Sequence, residues 1–195
     1  APIFSLPSNL EHELASMLLS YIPVMDMVRF AKNGNDVTQA AIRLARAYTN
    51  RNTIISVGYH GWYDQLAVTM TMNRGIPIDL KGYIVDADFN MLDDIVEFLH
   101  NEPEADEVAC VIIEVPSVVE SMGEHRVAED LRKVQSACNK KSVVFILDEV
   151  LTWGRYGIGG LTQRLNLKPD LLLLGKALGN GYPISVLMGR EAIMR

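Results

Sequence analysis

Three uninterrupted apolar runs stand out in the hydrophobic pattern of this chain, and each leads to a charged side chain. The runs cover 108–113, 143–147 and 171–174, and the charged residues that follow them are Glu114, Asp148 and Lys176. Short runs without polar alternation are typical of strands buried on both faces of a sheet. Because the carboxyl ends of parallel strands meet at one edge, these three strand ends predict a ligand site.

Helical periodicity separates the apolar runs. It predicts helices near 10–21, 39–48, 90–99 and 126–139, and shorter strands near 25–31, 53–58 and 184–188. The helix at 126–139 lies between two predicted strands, as a crossover between parallel strands requires. Residues 65–88 show no clear period, and we interpret 74–77 as a surface loop. The pattern as a whole predicts an α/β fold, a mostly parallel sheet flanked by helices.

Composition and net charge limit the functions that this chain can have. With 195 residues, 49% hydrophobic and 22% charged, the chain is long enough for one sizeable globular domain. A net charge of −6 gives no reason to expect nucleic acid or a membrane surface as partner. Cys110 and Cys138 are expected to be buried thiols of a cytoplasmic protein, with a disulfide left open. No Cys or His pairs stand at metal-ligand spacing, so we expect no metal site.

A lysine and an acid at neighbouring strand ends suit one cofactor. Taken by itself, Lys176 is explained as a lysine at a strand end whose amine extends into water. Paired with Asp148 in a crevice, it fits pyridoxal phosphate, because the lysine forms a Schiff base with the aldehyde. The carboxylate then keeps the ring nitrogen protonated, so that the ring withdraws electrons.

Two further segments have functional and ordinary interpretations that the residues alone leave open. The turn at 32–38 precedes a helix, and its backbone N–H groups would form a phosphate cradle. An ordinary capped helix explains the same Asn and Asp residues. The aromatic cluster at 59–63 would stack on a flat ring, or would simply plug a hydrophobic loop.

Four ordered motifs carry a resemblance to a known family. They are Ala40–Thr49, Tyr59-His60-Gly61, Leu147-Asp148-Glu149-Val150 and Leu174-Gly175-Lys176. With them the chain resembles the class III pyridoxal-phosphate aminotransferases, most closely the glutamate-1-semialdehyde aminomutase branch, from about Glu11 to Met194. The resemblance implies the large domain of the aspartate-aminotransferase-like superfamily.

The resemblance also implies roles for particular residues. Lys176 corresponds to the Schiff-base lysine that shuttles protons, Asp148 to the partner of the ring nitrogen, and Glu114 to an acid on the substrate side. The remaining cofactor contacts implied are Val150 and Tyr59 on opposite ring faces, His60 beside Tyr59, and Gly34 and Asn35 at the phosphate.

The chain departs from the family pattern in two segments and in its extent. The phosphate turn reads Asn33-Gly34-Asn35-Asp36 where Ser-Gly-Thr-Glu is usual, and 115–120 differs from the usual Glu-Pro pattern. We expect phosphate binding to survive, because backbone N–H groups supply it. The resemblance further implies that 1–195 is the cofactor-binding large domain, without the flanking N-terminal segment and C-terminal small domain.

The activity implied is transfer of an amino group between a small-molecule amine and a carbonyl compound, in a homodimer. Two rival hypotheses remain: a non-catalytic binding or assembly domain that keeps the fold, and a phosphate- or nucleotide-binding domain without a Schiff base. Retention of both Asp148 and Lys176 favours the enzyme over a scaffold, which needs neither.

Overall fold

The computed structural model describes residues 8–116 and 119–195. Its helices are α1 (Asn9–Tyr21), α2 (Gly34–Thr49), α3 (Asp64–Ala67), α4 (Leu92–Asn101), α5 (Val119–Met122), α6 (Glu124–Lys141), α7 (Gly160–Arg164) and α8 (Glu191–Met194). Its strands are β1 (Met27–Ala31), β2 (Thr53–Val57), β3 (Ile84–Ala87), β4 (Val108–Glu114), β5 (Val144–Glu149), β6 (Leu171–Leu174) and β7 (Ser185–Gly189). Short 3₁₀ turns lie at Ile78–Tyr83, Phe89–Met91, Pro103–Glu107 and Lys176–Leu178.

Within the described residues, the strands form one sheet in the order β1-β7-β6-β5-β4-β2-β3. Strand β7 runs antiparallel to both its neighbours, and the remaining pairs are parallel. All strands except β7 therefore point the same way, which confirms the predicted mostly parallel α/β fold. The carboxyl ends of β1, β4, β5 and β6 consequently share one edge of the sheet.

The central strands are apolar throughout because both faces of the sheet are covered. In β5, Phe145 and Leu147 belong to one core cluster, whereas Val144 and Ile146 belong to the cluster on the other face. The same alternation holds in β6 and, from Cys110 onward, in β4. Successive side chains of a strand point to opposite faces, so a strand between two helical layers needs apolar residues at every position.

Each face has its own helices. The buried side of α2, which includes Ala41 and Ala45, packs in one cluster, and α1, α4 and α6 supply the other. Cys110 and Cys138 are free and fall in different clusters, so the sheet lies between the two thiols. Burial raises the pKa of the Cys110 thiol to about 12.

The structure corrects several predicted boundaries. Helix α2 begins at Gly34, five residues before the predicted start, because the turn itself provides its cap. The segment without a clear period contains α3 and the edge strand β3. Of the four residues in β3, Ile84 alone is buried, so this strand lacks the apolar pattern of a central one. The acidic segment after α4 forms a 3₁₀ helix at Pro103–Glu107.

Candidate active site

A cavity of about 350 Å³ opens at the sheet edge where β4, β5 and β6 end. This volume lies in the range of small-molecule sites, about 300–1,000 Å³. All eight residues singled out from the sequence line it: Gly34, Asn35, Tyr59, His60, Glu114, Asp148, Val150 and Lys176. The fold thus collects side chains that are up to 142 positions apart (from Gly34 to Lys176) into one cavity.

One wall of the cavity is the N-terminus of α2, which Asn33 and Asp36 cap reciprocally. The Asp36 N–H donates to Asn33 Oδ1 at 3.2 Å, and the Asn33 N–H donates to Asp36 Oδ2 at 3.2 Å. This capping box satisfies two of the first-turn donors. The N–H groups of Gly34 and Asn35 occupy the first two helical positions, where no carbonyl of the helix is available to them. The turn is therefore a capped helix start, and the capping box leaves the N–H groups of Gly34 and Asn35 without a partner in the helix.

Asn35 also fixes the aromatic loop against the helix. The Trp62 N–H donates to Asn35 Oδ1 at 2.8 Å. Gly61 adopts φ +101°, and a Cβ at this position would overlap the Asn35 amide. Glycine is required here both by the backbone angle and by the close approach. The amide oxygen of Asn35 is therefore committed to the loop, which leaves its Nδ2 group for other partners.

His60 is a buried residue of the cavity lining that contacts Asp148. Both residues are buried, at 4% and 3% exposure, and His60 Nδ1 lies 2.7 Å from Asp148 Oδ2. His60 Nε2 lies 3.1 Å from the Val57 carbonyl, which only accepts, so Nε2 carries a hydrogen. A nitrogen lone pair and a carboxylate oxygen do not approach to 2.7 Å without a proton, so one proton lies between them. Asp148 Oδ1 accepts from the Val150 N–H at 2.9 Å, which fixes the carboxylate plane.

Val150 is wedged between two glycines. A Cβ added at Gly34 or at Gly175 would lie 3.1 Å from Val150 Cγ1. Such a contact is closer than ordinary packing allows, so the glycines let β5, β6 and α2 converge on this side chain. The position of Val150 in the cavity wall is therefore set by three elements together.

Glu114 shapes the opposite side. Its Oε2 accepts from the Tyr59 N–H at 3.0 Å, and Gly58, at φ +92°, lies against its Cβ. The carboxylate thus holds the loop that presents Tyr59, whose side chain is about half exposed at 54%. Residues 117 and 118, part of the stretch after Glu114 that departs from the family pattern, lie outside the described residues.

Lys176 follows β6 with φ +41°, in the left-handed region that a residue with a Cβ rarely adopts. Such backbone strain is common at functional sites. Lys176 lines the cavity and is exposed. Its amine therefore meets both the cavity and solvent.

A second buried acid stands behind the cavity. Glu149 is 0% exposed, and its carboxylate accepts from the Leu161 and Thr162 N–H groups at 2.7 Å and from Thr162 Oγ1 at 2.6 Å. Burial raises the pKa of Glu149 above its ordinary value of 4.5, against the effect of these donors. Glu149 thereby attaches α7 to the end of β5, next to Asp148.

Four further residues of the wall received no individual role from the sequence: Lys32, Thr38, Tyr182 and Ile184. Lys32 and Thr38 lie within the predicted turn at 32–38, and the charge of Lys32 was the available signal. Tyr182 and Ile184 reach the cavity only because the chain turns back after Lys176 into β7. Thr38 Oγ1 donates to the Gly34 carbonyl at 2.9 Å and so faces the first turn of α2.

The part of the chain at 8–116 and 119–195 holds neither a metal cluster nor a membrane-spanning helix. No group of three or more His, Cys, Asp or Glu residues there is arranged to hold a metal ion. No helix in this part of the chain has the length and apolarity needed to span a membrane.

Comparison with known proteins identifies relatives over the whole chain. The family described as aminotransferase class-III matches residues 3–195. The chain is 35% identical to the glutamate-1-semialdehyde 2,1-aminomutases of Desulforamulus reducens and of Francisella tularensis subsp. tularensis, over 98% of its length and 46% of theirs. It therefore spans about half the length of the curated relatives it matches.

Solved structures agree with the sequence relatives. An omega-transaminase from Sphaerobacter thermophilus superposes with a TM-score of 0.85 at 28% identity, over 97% of this chain and 46% of that one. A structure described as a transaminase with PLP bound superposes with a TM-score of 0.82 at 29% identity, with the same coverage.

Proposed function

The chain belongs to the class-III aminotransferases, and from that membership we propose that it binds pyridoxal 5′-phosphate and transfers amino groups between amines and carbonyl compounds. The observation that carries the proposal is the convergence of Lys176, Asp148 and the free N–H groups of α2 on one cavity. Residues 1–195 would form the large, cofactor-binding domain of the enzyme. Its similarity to glutamate-1-semialdehyde 2,1-aminomutases supports an internal transfer within one substrate as the nearest variant.

The residues of the cavity fit this cofactor at both ends. The unpaired N–H groups of Gly34 and Asn35, at the positive end of α2, suit a phosphate. Val150 and Tyr59 offer an aliphatic and an aromatic surface for a flat ring. When bound, the cofactor supplies an aldehyde that joins a lysine amine and a ring that withdraws electrons from the substrate.

Lys176 is the group that handles protons on the substrate side. Its amine would hold the aldehyde of the cofactor, and when free it would take a proton at Nζ from one substrate carbon and return it to another. The left-handed backbone at Lys176 aims the side chain from the end of β6, and the mobile stem of lysine lets Nζ move between carbons.

Asp148 would pair with the ring nitrogen of the cofactor. Its two oxygens already accept from Val150 N–H and meet the proton shared with His60, so the carboxylate cannot rotate away. A carboxylate fixed in this way favours a proton on a nitrogen that faces it. His60 is a positioning residue in this scheme, because it acts through Asp148.

The proposed partners and cellular location rest on net charge, free thiols and exposed aromatic side chains. The substrate would be a small-molecule amine or carbonyl compound, and the net charge of −6 disfavours nucleic acid. Free, buried thiols support a reducing, cytoplasmic setting. A homodimer is proposed because Trp62 (68% exposed) and Tyr182 (82% exposed) leave aromatic surface at or beside the cavity that a second copy would cover. Analytical ultracentrifugation tests this, and a monomer at every concentration would contradict it.

The proposal is tested by covalent trapping. Pyridoxal phosphate is added to the purified chain, the mixture is reduced with borohydride, and the adduct is mapped by peptide mass spectrometry. We expect a new visible absorption band that reduction abolishes, and an adduct at Lys176.

The Lys176→Ala variant serves as the control. It should lose the band and the mapped adduct, while still binding the phosphate ester of pyridoxine, which has no aldehyde. A parent chain that gives no band, or an adduct spread over surface lysines to the same degree in parent and variant, would sink the proposal and favour a non-catalytic domain.

A further inference from the structure

Lys32 is a cation at the phosphate end of the cavity to which the sequence interpretation gave no role. It follows β1 directly and lines the same cavity as Gly34 and Asn35. Consecutive Cα atoms lie about 3.8 Å apart, so the Cα of Lys32 stands within about 8 Å of that of Gly34. The flexible four-carbon stem of lysine spans such a distance.

The backbone of Lys32 is held in place, whereas its ammonium is available. The Lys32 N–H donates to Asp36 Oδ2 at 3.3 Å, as part of the capped turn. Among the described residues, no carboxylate oxygen, including those of Asp36, lies within 4.0 Å of the Lys32 ammonium. The ammonium therefore has no carboxylate partner in the part of the protein that the structure describes, whereas the backbone of Lys32 is fixed next to the cradle.

The cradle without Lys32 is short of positive charge. A phosphate ester carries about −1.5 to −2 at neutral pH, while a helix N-terminus offers roughly +0.5. The carboxylate of Asp36 lies in the first turn of the same helix and opposes an anion. Lys176, the other cation of the cavity, is assigned to the aldehyde end of the ligand.

The side chains of the turn do not supply the missing positive charge. Asn33 Oδ1 accepts from the Asp36 N–H, and Asn33 Nδ2 donates to Asp36 Oδ2 at 2.9 Å. Asn35 Oδ1 is bound to the Trp62 N–H. Asn33 thus uses its Oδ1 and one N–H of its Nδ2 group in capping the helix, and Asn35 retains its neutral Nδ2 group. A charged donor within reach would contribute more than such a neutral amide.

We propose that Lys32 binds the phosphate group of the cofactor, as the cation that complements the Gly34 and Asn35 N–H groups. The inference rests on the proposed function, since it assumes that the cavity receives a phosphate ester. It assigns Lys32 to binding and gives it no part in proton transfer.

The test compares pyridoxine 5′-phosphate with pyridoxine, which differ by the phosphate and both lack an aldehyde. Their dissociation constants are measured by isothermal titration calorimetry for the parent chain, Lys32→Met and Lys32→Arg. We expect Lys32→Met to bind the phosphate ester about tenfold more weakly, the size of one partly screened charge contact, and pyridoxine with unchanged affinity. Lys32→Arg, which keeps the charge, should restore most of the preference.

The matched control is Lys140→Met, which removes the same charge from the exposed C-terminal end of α6. It should retain the parent preference for the phosphate ester, and raising the salt concentration should reduce that preference in the parent more than in Lys32→Met. A Lys32→Met variant that keeps the full preference would overturn the inference while leaving the trapping result at Lys176 intact. A parent chain that binds both compounds equally would also overturn the role of Lys32. If the trapping experiment at Lys176 failed as well, the proposed function itself would be rejected.

Discussion

Asp148 is held from two sides by short hydrogen bonds, and its surroundings determine which substitutions it tolerates. The carboxylate accepts from the Val150 N–H and shares a proton with His60, and both Asp148 and His60 are buried. An amide at this position keeps one acceptor and gains one donor, so it satisfies the same partners. An apolar residue satisfies neither of them.

We therefore expect Asp148→Asn and Asp148→Leu to differ in stability. Asp148→Leu leaves a buried N–H and a ring nitrogen unpaired, and should lower the free energy of unfolding by about 2–4 kcal/mol. Asp148→Asn should cost about 1 kcal/mol or less. Urea denaturation of the three proteins measures the difference. Equal losses in the two variants would mean that the charge of Asp148, and not its hydrogen bonds, stabilises the site.

At the scale of elements, the cavity depends on the close approach of β5, β6 and the start of α2. Val150 lies against Gly34 and against Gly175, each of which would place a Cβ 3.1 Å from its Cγ1. Elements that meet through glycine tolerate little added volume, because packed interiors have few voids.

Gly34→Ala tests this packing. The first helical position accepts alanine readily, so any loss arises from the contact with Val150. We expect Gly34→Ala to lower the free energy of unfolding by about 1–2 kcal/mol. The penalty should shrink in a Val150→Ala background, and a double-mutant cycle from denaturation curves gives the coupling. Additive effects of the two changes would show that the contact is not strained.

At the scale of the whole molecule, a buried acid makes stability depend on pH. Glu149 has a pKa above its ordinary 4.5 because burial penalises its charged form. Between that ordinary value and the raised one, the folded chain keeps a proton that the unfolded chain has released. The contribution of Glu149 to stability is therefore fully present below 4.5 and is lost as pH rises through the raised pKa.

Glu149→Gln isolates this effect, because every other titrating group remains in both proteins. We expect the free energy of unfolding of the parent, minus that of the variant, to fall as pH is raised from about 4.5 toward neutrality. Denaturation curves collected at several pH values for both proteins measure the slope. A difference that stays constant, or that grows with pH, would contradict a raised pKa at Glu149.

Much of the fold was predictable, because periodicity reports burial directly. The predicted positions nearly match the observed ones for the central strands β4, β5 and β6 and for the crossover helix α6. The edge strand β3 did not, since three of its four residues are not buried and its pairing with β2 is a long-range contact. An edge strand shows no pattern that distinguishes it from a loop.

The sequence by itself determined the α/β fold, the family and eight of the residues that line the cavity, because apolar runs and ordered motifs are local properties. Only the tertiary structure decided how those residues are used. The proton between His60 and Asp148, the two N–H groups that the capping box leaves free, and the place of Lys32 beside them depend on distances of a few ångströms. Distances between segments far apart in sequence arise only when the sheet and its helices pack, and no local pattern encodes them.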